Sequence, residues 1–363
     1  SQVALLGKVG PELEALRPGF GFNKYKVDAY MHGKQYVFGT TLGASFRVND
    51  HFSVYGGLRG VYATAHYYGY LKNIQVNPGK GTNFVPAPAF FAQTAKALQP
   101  AVAVNPTLAP RLRQLSVLAA ATQDVTLNTD QSAFGFAPIF GAHFHSQYFD
   151  ASAKYEFRTR VAFKNESANS QSAENLTALA AYRDGAQVRS DIPALLTVGA
   201  QVRPIEGLRL NLGYHQYFDK QAKSGVKGAY RNELLKGGTK EYLFGAEYDL
   251  TKKWEISAGV QRTVYPNSDE YMNDLTFTTN STSLGLGVGY QVNEKVKVNA
   301  GYFKTFYDTY NKVSQNYNNV ANIIGLAEGA DRALQLVESG AVKGSDTFTR
   351  TNQVFGLGVE LTF

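Results

Sequence analysis

Cysteine is absent from this 363-residue chain, tryptophan occurs once and methionine twice. Without cysteine there is no disulfide framework and no thiolate metal site. That composition also suits a protein that crosses the periplasm unfolded. Long apolar runs are missing as well. No segment approaches the roughly 18 to 20 continuous apolar residues of a membrane helix, which excludes a helical membrane protein but not one that crosses with strands. Clusters of one charge sign are also missing. The 36 Lys and Arg outnumber the 29 Asp and Glu, for a formal net charge of +7. The bases are scattered, so the excess does not read as a nucleic-acid surface. No secretory signal opens the chain, which is expected to be mature or trimmed.

Aromatics are abundant, with 23 Phe and 23 Tyr, and they are placed with a period of two. Near the C-terminus Phe355, Leu357, Val359, Leu361 and Phe363 alternate strictly with small or polar residues. Such alternation marks a strand with one apolar face and one wet face. The same pattern recurs along the chain. Tyr36, Phe38, Leu42, Ala44, Phe46 and Val48 share one face of residues 35–48, opposite Gln35, Thr41, Ser45 and Arg47. Phe52, Val54, Leu58 and Tyr62 do so in 52–65, against Ser53, Tyr55 and Arg59. Phe134, Phe136, Phe140 and Phe144 follow in 133–144. The clearest segment is 148–164, where Phe149, Ala151, Ala153, Tyr155, Phe157, Val161 and Phe163 are expected on one face. Further strands are expected at 195–203, 208–218, 241–250, 254–264, 283–292, 296–306 and 352–363. That makes eleven in a single domain spanning 1–363.

Connections alternate between short turns and long excursions at 66–131, 165–191, 219–239, 266–281 and 308–351. The expected fold is therefore all-β, a transmembrane antiparallel β-barrel with short periplasmic turns and long external loops. The slightly negative mean hydropathy, −0.26, fits strands whose every second residue faces a polar lumen. Bacterial barrels of one chain have an even strand number. Eleven strands ending at the periplasm place the first one running down from the outer surface. An N-terminal portion is accordingly expected to be missing, with the weakly alternating Phe20 to Tyr30 as an external extension of the first strand.

Three stretches resemble the FadL family of outer-membrane channels for hydrophobic compounds. They are Gly39 to Arg59 around the Asn49-Asp50 turn, Ile192 to Val202 with its partner Gly207 to Tyr214, and the strands from Ser283 onward. The terminal Phe likewise resembles the barrel-insertion signal of such proteins. Their order, with a long helical loop after the first hairpin, carries the resemblance from about residue 34 to the end. It implies fourteen strands when complete and an N-terminal hatch in the lumen, hence about three strands and the hatch unaccounted for here. A separate N-terminal fragment completing the barrel is one expectation. The resemblance further implies an outer-membrane location and passive uptake of compounds such as long-chain fatty acids, with capture by extracellular loops.

Candidate residues follow from the pattern. Helices are expected at 88–98, bearing Phe90, Phe91 and Leu98, and at 107–121, where Leu108, Leu112, Leu115 and Leu118 form one stripe. Another is expected at 173–182, with Leu176 and Leu179. These apolar residues either line a capture groove or simply pack a lid; both readings stand. Apolar residues at lumen positions are a second set: Val37, Tyr55, Val61, Ile139, Leu195, Leu243, Phe303 and Val354. Arg59, Lys154, Arg158, Arg160, Arg203, Arg209 and Lys297 are inward bases. Arg59 and Arg158 are the candidates for meeting a ligand carboxylate, while pairs such as Arg158 with Glu156 would merely fill the barrel.

Enzymatic patterns are weak. His143 and His145 form an H-x-H whose side chains share one face, so a metal is conceivable, but such rim pairs are more often unliganded. Ser53, Ser152, His66, His215, Thr263 and Asp219 assemble into no catalytic set. The expectation is no enzyme, no cofactor and no metal, with outer-membrane lipids and a hydrophobic ligand as partners. An accessory barrel docking a secretion partner or lipid carrier is the alternative.

Overall fold

The computed structural model describes residues 22–78, 83–175, 177–273, 277–317, 320–322, 325 and 329–362. Eleven wall strands follow one another: β1 Phe22–Arg47, β2 Phe52–Pro78, β3 Val125–His145, β4 Phe149–Glu156, β5 Leu195–Val202, β6 Leu208–Tyr217, β7 Lys240–Asp249, β8 Trp254–Val264, β9 Ser281–Asn293, β10 Val296–Tyr307 and β11 Thr351–Leu361. Each pairs antiparallel with the next in chain order. No described helix is long and apolar enough to cross a membrane. A strand stands at each of the eleven expected places, although the one expected at 148–164 ends early, at Glu156. The terminal Phe363 lies outside the described residues, as do residues 1–21.

Side-chain polarity explains the wall. On the outer face Phe38, Leu42, Phe46, Leu58, Phe134, Phe140, Leu212, Phe244, Leu286 and Leu357 are exposed. Their strand neighbours on the inner face are polar, small or glycine, except Val37, Ile139 and Leu243. Phe303 and Val354 oppose Gly285 and each other in register on that inner face, as their parity predicted. Aromatic pairs stand on the outside at two heights. Trp254 and Tyr290 lie 4.5 Å apart near the turns. Tyr302 with Phe355 at 4.6 Å and Tyr214 with Tyr242 at 5.4 Å lie higher. Interfacial belts of this kind suit amphipathic rings.

The short turns are held by their own side chains. Asn49 Oδ1 accepts hydrogen bonds from the backbone N–H of His51 at 2.9 Å and Phe52 at 2.8 Å. Thr251 Oγ1 accepts likewise from Lys253 and Trp254, both at 3.1 Å. Asn and Thr are suited to these sites because a short side-chain acceptor replaces a ladder partner. At Gly207 the φ of +78° requires a residue without Cβ.

Three features differ from expectation. β1 and β2 run 26 and 27 residues, far beyond 35–48 and 52–65, because 22–30 pairs with 70–78. β3 also starts at Val125, so the loop expected at 66–131 shrinks to 79–124. The segment expected at 148–164 is not one strand. It leaves the ladder after Glu156 and resumes as Ala162–Ser167. Ile139 pairs with Glu156, but Ser132 pairs with Lys164, so this side carries one more residue than β3. One extra residue reverses the faces. Val161 and Phe163 are therefore buried at 2% and 3% exposure, not outward, whereas Phe157 remains exposed. Gly135 permits the bulge, since a Cβ there would sit 2.5 Å from the Arg160 carbonyl oxygen.

No strand among the described residues pairs with the outer edge of β1 or of β11. Both run toward the short turns, so direct pairing of the two edges would be parallel in an otherwise antiparallel sheet.

Replacing an outward mid-height residue tests the facing. Leu286→Arg is expected to cost roughly 2 to 4 kcal/mol of stability in lipid, measured by reversible unfolding into urea from liposomes. A loss near zero would mean that Leu286 does not face lipid.

Candidate functional site

Above β1 and β2 sits a helical hairpin. Helix α1, Ala87–Val104, begins at a Pro-rich turn, and α2, Ala109–Ala121, follows a short 3-10 turn at Pro106–Leu108. Proline in the first turn is favourable because its missing N–H has no helical partner there. The hairpin packs on the upper ends of the strands. Phe91 and Leu115, 0% and 1% exposed, join Ile74, Val76, Ala87 and Ala95 in one core. Phe90, Leu98, Leu112 and Leu118 are only partly buried against it, together with Tyr25 and Val27. The expected leucine stripe thus divides. Leu115 and Phe91 hold the hairpin to the strands, while Phe90, Leu98, Leu112 and Leu118 keep apolar surface available. Leu108 is half-buried in the 3-10 turn, outside that core.

A second cover, α3 Gln171–Asn175 and a 3-10 turn Thr177–Tyr182, is attached over β3. Buried polar groups pin it. Gln131 donates to Asn165 Oδ1 at 2.7 Å, and Asn165 donates to the carbonyls of Ala181 at 2.8 Å and Arg183 at 3.0 Å. Asn169 and Ser167 both donate to the Tyr182 carbonyl, at 2.7 and 2.9 Å. Burial raises the Tyr182 phenol above its ordinary range, and Tyr67 adds to the effect. Leu179 is half-buried in this cover. Leu176 lies outside the described residues.

Beneath the covers the lumen wall turns apolar. Val61, Ala63, Ala65, Ala133, Val161 and Phe163 form a buried cluster, with Tyr67 and Ile192 against it. Ile139 is 3% exposed just below. Of these, Val61 and Ile139 were expected from strand parity. The alanines break no polarity rule strongly and so carry no signal in the sequence. Val161 and Phe163 were assigned to the wrong face by the hidden bulge. Leu195, Leu243 and Phe303 also face inward, but on β5, β7 and β10, away from this cluster.

The bases sort themselves by partner. Arg59 Nη1 lies 2.7 Å from Glu156 Oε2, and Lys154 Nζ 2.7 Å from Glu156 Oε1. Two cations therefore share one carboxylate next to Ile139. Arg158 does not pair with Glu156. It follows the strand break, so strand parity no longer places the two together, and its guanidinium reaches the Gln221 carbonyl and Asp191 at 3.8 Å. Nearer the turns, Arg209 meets Glu247, Asp249 and Glu255 within 3.0 Å, and Lys297 meets Glu255 at 3.2 Å. Arg203 contacts Asp150, which also takes His145 Nδ1 at 2.5 Å. His143 stands 3.9 Å from the same carboxylate. Among the described residues no group of three His, Cys, Asp or Glu is arranged to hold a metal ion.

Comparison with known proteins follows this geometry. The family described as "Outer membrane protein transport protein (OMPP1/FadL/TodX)" matches residues 32–335. The structure is similar to that of a Pseudomonas aeruginosa FadL homologue, with a TM-score of 0.57 at 15% identity over 91% of this chain and 68% of that one. The Ralstonia pickettii toluene transporter TbuX aligns with a TM-score of 0.45 at 13% identity, over 77% of this chain and 64% of that one. This chain thus spans about two thirds of the length of either. No curated protein sequence matches it.

The division of the leucine stripe is testable. Leu115→Ala is expected to destabilise the hairpin by about 2 to 5 kcal/mol, seen as faster hydrogen exchange in residues 87–121. The heat-modifiable mobility of the folded wall should stay unchanged. Equal exchange in the variant would remove Leu115 from the core.

Proposed function

Because the chain belongs to the OMPP1/FadL/TodX family of outer-membrane transport proteins, which move hydrophobic compounds across the Gram-negative outer membrane, we propose that its own substrates are long-chain carboxylates such as fatty acids. The carrying observation is the apolar lumen cluster of Val61, Ala63, Ala65, Ala133, Val161 and Phe163 directly above Arg59, Lys154 and Glu156. Lumen positions are ordinarily polar, so an apolar surface buried under a cover has a purpose beyond lining water.

In this reading the half-buried Phe90, Leu98, Leu108, Leu112 and Leu118, with Leu179 of the second cover, collect an acyl chain from the outside. Each Å² of chain surface removed from water contributes about 25 cal/mol. The chain then passes to the lumen cluster and Ile139, and onward past Leu195, Leu243 and Phe303. Arg59 and Lys154 carry one positive charge more than Glu156 neutralises. A substrate carboxylate supplies the second anion without a new buried charge. Arg158, held by Gln221 and Asp191, plays a smaller part by fixing the bulge. Movement is diffusion down a gradient, with no cofactor. The same reading places three further strands between β11 and β1, on this protein or on a separate fragment. Three is odd, as antiparallel closure of two edges running the same way requires.

Charge separates this substrate class from neutral hydrocarbons. In cells lacking other carriers, Arg59→Gln is expected to lower uptake of a sixteen-carbon fatty acid several-fold and leave uptake of toluene unchanged. Equal loss of both would make Arg59 a structural residue. Unchanged fatty-acid uptake would remove the carboxylate contact. A bulky lumen residue, Ala63→Trp, should depress both.

A further inference from the structure

Three cations stand on the lipid-facing side of the wall. Lys240 on β7, Arg262 on β8 and Lys304 on β10 have the same parity as the outward Tyr242, Val260 and Phe306. They lie eight or nine residues from the turn-side ends of their strands, Asp249, Trp254 and Val296. At roughly 3.3 Å per residue and a tilt near 40°, that is roughly 20 Å along the membrane normal. The apolar band of such a barrel is about 25 Å tall. The first three strands show the band reaching this height. Phe38, Phe136, Tyr62 and Phe134 lie nine to eleven residues from the same ends of β1, β3 and β2, and Phe38, Phe136 and Phe134 are 59%, 64% and 70% exposed.

The row of cations is therefore set at the upper edge of the hydrocarbon, directly above the aromatic belt of Tyr214, Tyr242, Tyr302 and Phe355. Its protein partners do not neutralise it. Asp308 takes Arg262 at 2.6 Å, and Thr282 Oγ1 accepts from the same guanidinium at 3.1 Å. Lys304 rests over the Phe306 ring at 5.1 Å, and Gln353 opposite it is neutral. Glu241, beside Lys240 in sequence, points into the lumen to His215 and Gln261. Among the described residues two positive charges are left on the outer face, at a depth where water is scarce and an anion comes from the lipid.

We propose that Lys240, Arg262 and Lys304 form a binding site for the phosphates of an anionic, bis-phosphorylated outer-leaflet glycolipid, whose acyl chains lie along the aromatic belt below. Lys240 and Lys304 stand on either side of Arg262, opposite Val264 and Leu284, so the two lysines serve as point charges for separate phosphates of one lipid, and the fixed Arg262–Asp308 pair holds the guanidinium between them. The occupant is a lipid and not a free anion because the site opens sideways into the bilayer and not into the lumen.

Native mass spectrometry of the purified protein decides the matter, with bis-phosphorylated lipid A and the same lipid stripped of phosphate as probes. The protein should retain one bis-phosphorylated lipid and not the stripped form. Lys240→Gln combined with Lys304→Gln should weaken retention by at least about tenfold, and Lys240→Arg with Lys304→Arg should restore it. Heat-modifiable mobility shows in each case that the wall is folded, and these exposed side chains carry no ladder bonds. Equal retention of both lipids, undiminished retention by the Gln pair, or complete displacement by millimolar inorganic phosphate would each overturn the assignment.

Discussion

In hydrocarbon a backbone N–H or C=O has no solvent to turn to, and each one left unpaired costs several kcal/mol. The strand ladder answers that constraint, and everything else in this molecule is arranged around it. Ten antiparallel pairings in chain order take up the polar backbone of eleven strands, the outer edges of β1 and β11 excepted among the described residues. Side chains are then free to differ on the two faces. Apolar residues turn outward, and glycine, small and charged residues turn inward. The proposed capture and lumen surfaces lie where the ladder is interrupted or overrun. The bulge after Glu156 carries Val161 and Phe163 into the lumen, and the overlong β1 and β2 lift the helical hairpin above the wall.

Period-two alternation made the wall legible. Eleven strands, their order, their turns and the inward parity of Val61, Ile139, Leu195, Leu243 and Phe303 could be read because lipid on one side and lumen on the other impose opposite polarities. The upper parts of β1 and β2 could not. There both faces are covered, Ile74 and Val76 by the hairpin, so the alternation fades while the pairing continues. Arg158 was misplaced for a different reason. A single inserted residue reverses parity and leaves no mark in composition, although Gly135 and Pro138 on the facing strand are a local sign of irregularity.

The helices were visible as apolar stripes, but a stripe does not say which of its members face the wall and which remain open. Burial separates Phe91 and Leu115 from Phe90, Leu98, Leu112 and Leu118. The lumen charges show the same limit. Sequence supplies the cations, but only geometry reveals that Arg59 and Lys154 share Glu156 while Arg209 is saturated by three carboxylates. The proposed carboxylate contact rests on that difference between a filled ion pair and a surplus charge.

The central claim is that adjacent residues of one strand face lipid and lumen in turn. The chain contains no cysteine, so single cysteines can be placed along β9 without background. Labelling by a charged, membrane-impermeant maleimide in liposomes tests the facing directly. Ser283→Cys and Gly285→Cys, whose side chains would enter the lumen, are expected to react, whereas Leu284→Cys and Val288→Cys, facing lipid, are expected to stay unlabelled. Uniform labelling along the strand, or reaction at the second pair and not the first, would contradict the account.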